Sequence, residues 1–482
     1  MTPASPKRDR PLAALLAPDL LELLEEAPEA IASQTDELHP ADLADICEAF
    51  PEELLGPFLA ALPKDRAADV LEYLDEDVRV TLLEELSARE AASLVAAMTP
   101  DDRADILEEL DEDVADELLA ELTPEARRET EKLLEYDPYS AGGLMTTEFV
   151  SVDESTTVED ALVSVRAMAR AGRKEAMNTI YTMDAGGRLR GVLSLRELLA
   201  APEGAKLADV AWTDVVTVPP TAAQEEVAQL TSNYDLVSVP VVDEARRLIG
   251  VVTVDDVIDV IQEEQTEDVQ KLGGMEAIDE PYMTAGFFTV LGKRAGWLSV
   301  LFVGEMFTAS AIQHFEHELA RAIVLTLFIP LIIASGGNSG SQATSLIIRA
   351  MALGEVTLRD WWRVASREVP SGFTLGALLG AIGFLRIMAW QWMHDAGWRI
   401  GSFALGTDYG TYHLRLALTI WIALIGVVTF GSTAGSMLPF VLKRFGFDPA
   451  SASAPLVATL VDVTGLVIYF SAAALLLGGV LL

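Results

Sequence analysis

The sequence describes a multidomain chain of α and α/β parts joined to a membrane α-helical part. Three features say so. Nearly all the excess acid precedes Thr289, a short acidic pattern recurs at multiples of a dozen positions, and five long apolar windows fill the remainder. The implied segments are an acidic α-superhelix over 1–136, an α/β pair over 137–264, a linker helix over 265–288 and a five-helix membrane domain over 289–482.

The net charge is −40. From Thr289 onward 12 basic residues face 10 acidic ones, so 22 basic and 64 acidic residues precede that point. Phosphate binding needs clustered Lys and Arg, so nucleic acid is not an expected partner. The one cysteine, Cys47, excludes an internal disulfide framework and reads as core filling within a helix. MTPASPKRDR leads into an acidic amphipathic stretch with no apolar signal region, which places the N-terminus in the cytoplasm.

Between Asp42 and Arg128 the chain reads as short acidic helices. DRAADVLEYLDEDV at Asp65 returns, three dozen positions on, as DDRADILEELDEDV at Asp101. Leu71, Leu74 and Val78 thereby match Leu107, Leu110 and Val114, and ADLADICEAF puts Asp45 two dozen positions before Asp69. Apolar positions that repeat with the acids imply stacked helices with a shared apolar seam and carboxylates outside.

From Asp137 to Glu264 strands alternate with helices. FVSVDESTTVEDALVSV and GRLRGVLSLRELLA belong to one copy of a strand–helix–strand–strand–helix grammar; DVVTVPPTAAQEEVAQL and RRLIGVVTVDDVIDVI belong to the second. The two copies resemble a tandem pair of CBS domains. In the second, Gly250 to Asp256 fits the pattern by which many such domains hold a nucleotide ribose, so the resemblance implies ATP at Thr253 and Asp256. The bland reading is a structural Thr beside a helix-capping acid, and the first copy carries Glu197 where Asp is usual.

IDVIQEEQTEDVQKLGG follows as a polar linker helix. Windows near 296–313, 322–348, 372–391, 414–440 and 454–482 then each reach the roughly 20 residues that span a hydrocarbon core. Lys293 and Arg294, the group Arg349, Arg359, Arg363 and Arg367, and Lys443 with Arg444 fall on one side of the membrane if the N-terminus is inside. The loops near His317 and Asp408 carry few bases, so the positive-inside rule puts the C-terminus outside.

Asp462 is the only formally charged side chain in the last 34 residues. A carboxylate in the bilayer is costly unless it meets water, a partner or an ion. Thr459 and Gly465, three positions to either side, share its helix face. One reading is a protonated interhelical anchor; the other is a cation site. Mg²⁺ takes oxygen ligands, keeps much of its water and is held by one or two carboxylates, so two chains on a twofold axis would suffice. Gly336 and Gly340 in PLIIASGGNSGSQATSLIIRAMALGE have the spacing for close helix approach, while Asn338 and Gln342 offer amide oxygens on one face.

That stretch, DPASASAPLVATLVDVTGLVIYF and the order of the parts together resemble the MgtE-type magnesium channels over nearly the whole chain. The resemblance implies a homodimer in the bacterial cytoplasmic membrane that admits Mg²⁺ through a pore between protomers. Asp462 matches the pore aspartate that binds hydrated Mg²⁺, with Ala458, Thr459 and Asn338 beside it and Ser432 where the family often has Asn. It also implies that the acidic part senses Mg²⁺ and closes the channel. Candidate bridging acids are Asp255, Asp256, Asp259, Glu263, Glu264, Glu267 and Asp268 near the linker, with Asp69, Asp105 and Asp111 from the helical domain.

Glu305 is a second intramembrane acid, facing the pore mouth or the second helix; His314, Glu316, His317 and Glu318 read as a wet loop. The competing transport reading is a coupled secondary carrier of Mg²⁺ or Co²⁺. An enzyme is not expected, because the membrane half has no clustered Ser/His, Cys/His or multi-carboxylate set.

Overall fold

The computed structural model describes residues 11–170, 177–278, 282, 285–316, 323–400, 403–404 and 406–478. They form two compact units, Met1–Gln262 and Glu263–Leu482. His317 and Glu318 lie outside the described residues.

The first unit opens with α1 (Pro11–Glu26) and then counts in twelves. Helices α2 (Pro40–Cys47), α3 (Glu52–Ala60), α4 (Lys64–Glu72), α5 (Glu76–Glu85), α6 (Ala88–Val95), α7 (Pro100–Glu109), α8 (Glu112–Glu121) and α9 (Pro124–Leu133) follow one another with evenly spaced starts. Those starts are marked by Pro at the first turn in α2, α7 and α9, and by a Ser87–Glu90 capping box in α6. Helices two apart stack, α2 on α4, α4 on α6 and α6 on α8, so the structural layer is a pair of helices. Leu43, Phe58, Leu71, Leu83, Val95 and Leu118 fill the seam, each fully buried and contributing about 1.5–3 kcal/mol for an aliphatic or aromatic side chain. Cys47 lies in that seam as expected, where burial, then Glu48, pushes its thiol up to about 12.

The same unit continues into the α/β pair. β1 (Val150–Asp153) runs parallel to β2 (Thr179–Met183), which pairs antiparallel with β3 (Leu189–Ser194). Helices α10 (Val158–Arg170) and α11 (Leu195–Ala200) complete the first copy. In the second copy α12 (Gln224–Tyr234) precedes the antiparallel pair β4 (Ser238–Val242) and β5 (Leu248–Thr253). Its opening strand shrinks to a parallel bridge between Val218 and Val241. Pro219 and Pro220 follow at once, and proline cannot donate to the ladder.

Helix α13 (Val254–Leu272) leaves β5 without a break and enters the second unit. There α14 (Phe287–His314), α15 (Ile329–Ala352), α16 (Trp361–Asp395), α17 (His413–Arg444) and α18 (Ala454–Leu477) are long and apolar enough to cross a membrane. At about 1.5 Å per residue, the 35 residues of α16 exceed a hydrocarbon core of about 30 Å. The excess lies before residue 372, where Arg363, Arg367 and Glu368 extend the helix beyond its apolar window.

Candidate metal centres

Helices α15 and α17 cross with their backbones almost touching. A Cβ on Gly431 would land on the carbonyl oxygen of Gly336, and one on Gly435 on that of Gly340. Thr344 donates to the Gly435 carbonyl at 2.8 Å and the Ser339 and Ser432 hydroxyls share a hydrogen bond of 2.7 Å. The glycine spacing therefore serves packing. Ser432 is 2 % exposed and its hydroxyl belongs to this seam, while Asn338 and Gln342 lie outside it, Asn338 exposed and Gln342 exposed beyond it on the same side of α15.

Across from that open side lies α18, with Ala458 3.7 Å from the position a Gly337 Cβ would take. Ala458, Thr459 and Asp462 are half-buried along α18, and the Thr459 hydroxyl bonds back to the Pro455 carbonyl at 3.0 Å. The single chain thus leaves Asn338 exposed on α15 and Ala458, Thr459 and Asp462 only half-buried on α18.

Helix α14 runs parallel to α18. Trp297 bonds Ser453 at 3.1 Å, a Gly304 Cβ would lie 2.8 Å from Thr459, and Phe315 stacks on Phe470 at 4.7 Å. Within this ladder the Glu305 carboxyl lies in hydrogen-bonding reach of Asp462. Glu305 therefore turns to the fifth membrane helix, not to the second as one sequence reading had it. No ion pair with a Lys, Arg or His joins either carboxyl among the described residues.

In the first unit, α4, α7 and the start of α13 bring acids together. Asp101 is 4 % exposed and one of its oxygens has no partner. Burial, then Asp102, pushes its carboxyl up to about 7. Burial, then Asp102 and Asp69, takes Glu72 to about 8. Asp105 is raised to about 7 by desolvation, then by Asp101 and Asp102. Asp256 is raised by burial and by Asp101, against the hydrogen bond of 2.5 Å it accepts from Thr253. Thr253 is buried, and that bond is the helix-capping contact of the bland reading.

Asp69 and Asp255 act on these groups electrostatically, and Asp255 also raises Asp259 after burial does. Asp111 is exposed at the start of α8 and makes no capping bond. In the second unit Lys271 bonds Glu267 and reaches Asp448 at 2.6 Å. Beside them Asp268 is raised by burial and by Asp448. Glu263 is exposed and Glu264 half-buried on the intervening turns of α13. Among the described residues no three His, Cys, Asp or Glu side chains are grouped so as to hold a metal ion.

Sequence reasoning missed Asp101, Asp102, Glu72 and Asp448. The available signal was Pro100-Asp101-Asp102, which marks a helix start whose second acid replaces the Arg66 of the earlier repeat copy.

Comparison with known proteins adds a second line. A family model described as a divalent cation transporter matches residues 329–472, one described as the MgtE intracellular N domain matches 38–139, and CBS domains match 141–204 and 207–263. The magnesium transporter MgtE of Thermus thermophilus is 40 % identical over 470 residues, covering 96 % of this chain and 99 % of its own length. That of Bacillus subtilis is 30 % identical over 441 residues, covering 92 % of each. Among solved structures, the soluble part of a magnesium transporter matches with a TM-score of 0.49 at 31 % identity, over 52 % of this chain and 99 % of that one. An ATP-bound cytosolic domain of the Mg²⁺ channel MgtE matches with a TM-score of 0.48 at 38 % identity, over 51 % and 99 %.

Proposed function

The chain belongs to the MgtE family of magnesium transporters, and from that premise we propose that it is a Mg²⁺-selective channel, closed by the ion it conducts. It works as a homodimer in the bacterial cytoplasmic membrane, with its N-terminus inside and C-terminus outside.

One observation carries the pore reading: Asp462, with Ala458 and Thr459, is only half-buried on a membrane-length helix, and Asn338 is exposed on the membrane-length helix packed against it. A second copy facing it supplies a second Asp462, and a hydrated divalent ion between them turns repulsion into attraction. Ser432 contributes its backbone at most, since its hydroxyl is engaged with Ser339.

Gating rests on the acids of the first unit and of α13. Crowded carboxylates pushed up to about 7 and about 8 are held at an electrostatic cost that a divalent cation relieves. If Mg²⁺ favours the closed arrangement, raising it must populate that arrangement. Asp69, Asp105, Asp255, Asp256, Asp259, Glu263, Glu264, Glu267 and Asp268 are the ligands we assign, with Asp101 added and Asp111 the weakest member. Helix α13 carries the signal because it is continuous from β5 into the second unit. ATP at Thr253 and Asp256 would have to displace their mutual hydrogen bond, which Thr253→Ala and an ATP-binding titration test directly.

The deciding experiment is Mg²⁺ flux into proteoliposomes for wild type and Asp462→Ala, at low and high Mg²⁺ on the inside face. Loss of flux with normal folding supports the pore. Dependence on a Na⁺ or proton gradient would replace the channel with a coupled carrier, and indifference to inside Mg²⁺ would remove the sensor.

A further inference from the structure

We propose that Glu305 is a second carboxylate of the pore cation site, so that each protomer offers the ion two carboxyl groups. The inference rests on the reading of Asp462 as a pore residue. Four features lead to it. The Glu305 and Asp462 carboxyls are within hydrogen-bonding reach although they come from different helices. Their meeting is fixed by the parallel ladder of α14 on α18, anchored at one end by Trp297–Ser453 and at the other by Phe315–Phe470. The helices approach closely one residue before Glu305, where a side chain would crowd its neighbour: a Gly304 Cβ would lie 2.8 Å from the Thr459 methyl. One turn beyond, Thr308 is buried with a hydroxyl that has no partner, so α14 presents a polar face, i and i+3, toward this level.

An intramembrane carboxylate needs a proton, a base or a metal ion. Among the described residues no basic side chain forms an ion pair with this couple. With the ion absent a shared proton joins the two carboxyls, and a divalent cation with retained water is the partner that displaces it and meets both acids at once. Across a twofold axis the site then holds four carboxyl groups, a field strong enough to prefer Mg²⁺ to a monovalent ion of similar size. Glu305 also leaves its side chain exposed on the protomer.

The test is flux by the full-length protein in proteoliposomes, comparing wild type, Glu305→Gln, Glu305→Asp and Asp462→Asn. Glu305→Gln should raise the half-saturating Mg²⁺ concentration about tenfold or more, as loss of a metal-supporting group does. It should also weaken discrimination against Na⁺, while Glu305→Asp falls between it and wild type. Asp462→Asn should abolish flux, and full flux in that variant would sink the pore reading itself. With Asp462→Asn inactive, a Glu305→Gln channel of wild-type half-saturation and discrimination overturns the role given to Glu305. Should Glu305→Gln fail to fold, Glu305→Asp decides, since a carboxylate withdrawn by one methylene must still shift half-saturation.

Discussion

Asp101 is the residue on which the acidic unit turns. It is buried, its free oxygen meets no donor, and it raises Asp105 and Asp256 through space. In the unfolded chain such acids release their protons near pH 4. Folded, Asp101 and Asp105 hold them to about 7 and Glu72 to about 8. Between those values the folded state binds more protons than the unfolded one, so stability falls as pH rises from about 4 to about 8. Melting curves in chelator should show that slope, and added Mg²⁺ should flatten it. Asp101→Asn should raise the melting temperature in chelator and, by removing a ligand, increase the Mg²⁺ needed for closure about fivefold or more. An unchanged flux-inhibition curve would exclude Asp101 from sensing. Asp462 was legible in the sequence because it is the sole formal charge in the apolar run that ends the chain. Asp101 was not, since an acid among acids does not announce which one turns inward. The contact of Glu305 with Asp462 joins distant parts of the chain, and periodicity carries no trace of it.

Among the elements, α15 and α17 are tightly specified by glycine. Gly431 and Gly435 at the crossing each face a backbone atom, not a pliable side chain. Gly435→Val should therefore cost at least the roughly 1–3 kcal/mol of an overpacked core and lower the melting temperature of the detergent-solubilised protein. Gly446→Ala, at a turn with φ of 82° and open space around it, should do less, because only backbone conformation opposes it. The helix pattern was readable because its apolar seam recurs in register with the proline, serine or threonine that opens many of the helices. The first strand of the second α/β copy was over-read: VVTV has β-propensity, but Pro219 and Pro220 end its ladder at Val218. The start of α16 lay outside its apolar window because a helix can outrun the membrane, and hydropathy records only the immersed part.

At the scale of the whole chain, two compact units share a single continuous helix. Breaking α13 with Glu263→Pro should cost the helix about 3 kcal/mol locally and uncouple flux from inside Mg²⁺ while leaving conduction intact. Proteoliposome flux that still shuts at high Mg²⁺ in that variant would place the coupling elsewhere. The broad division into an acidic half and an apolar half was legible from charge alone, since solvation sorts carboxylates from lipid before any fold is specified.

Because every helix from α3 to α9 begins a dozen positions after its predecessor, that region behaves as countable cassettes. Whole cassettes can be gained or lost in pairs with the stacking columns still in step, whereas half a cassette would turn each buried stripe outward. Length variation in this arm should therefore arrive in quanta. A chimera trimmed by one complete two-helix layer should fold, where one trimmed by three quarters of a layer does not.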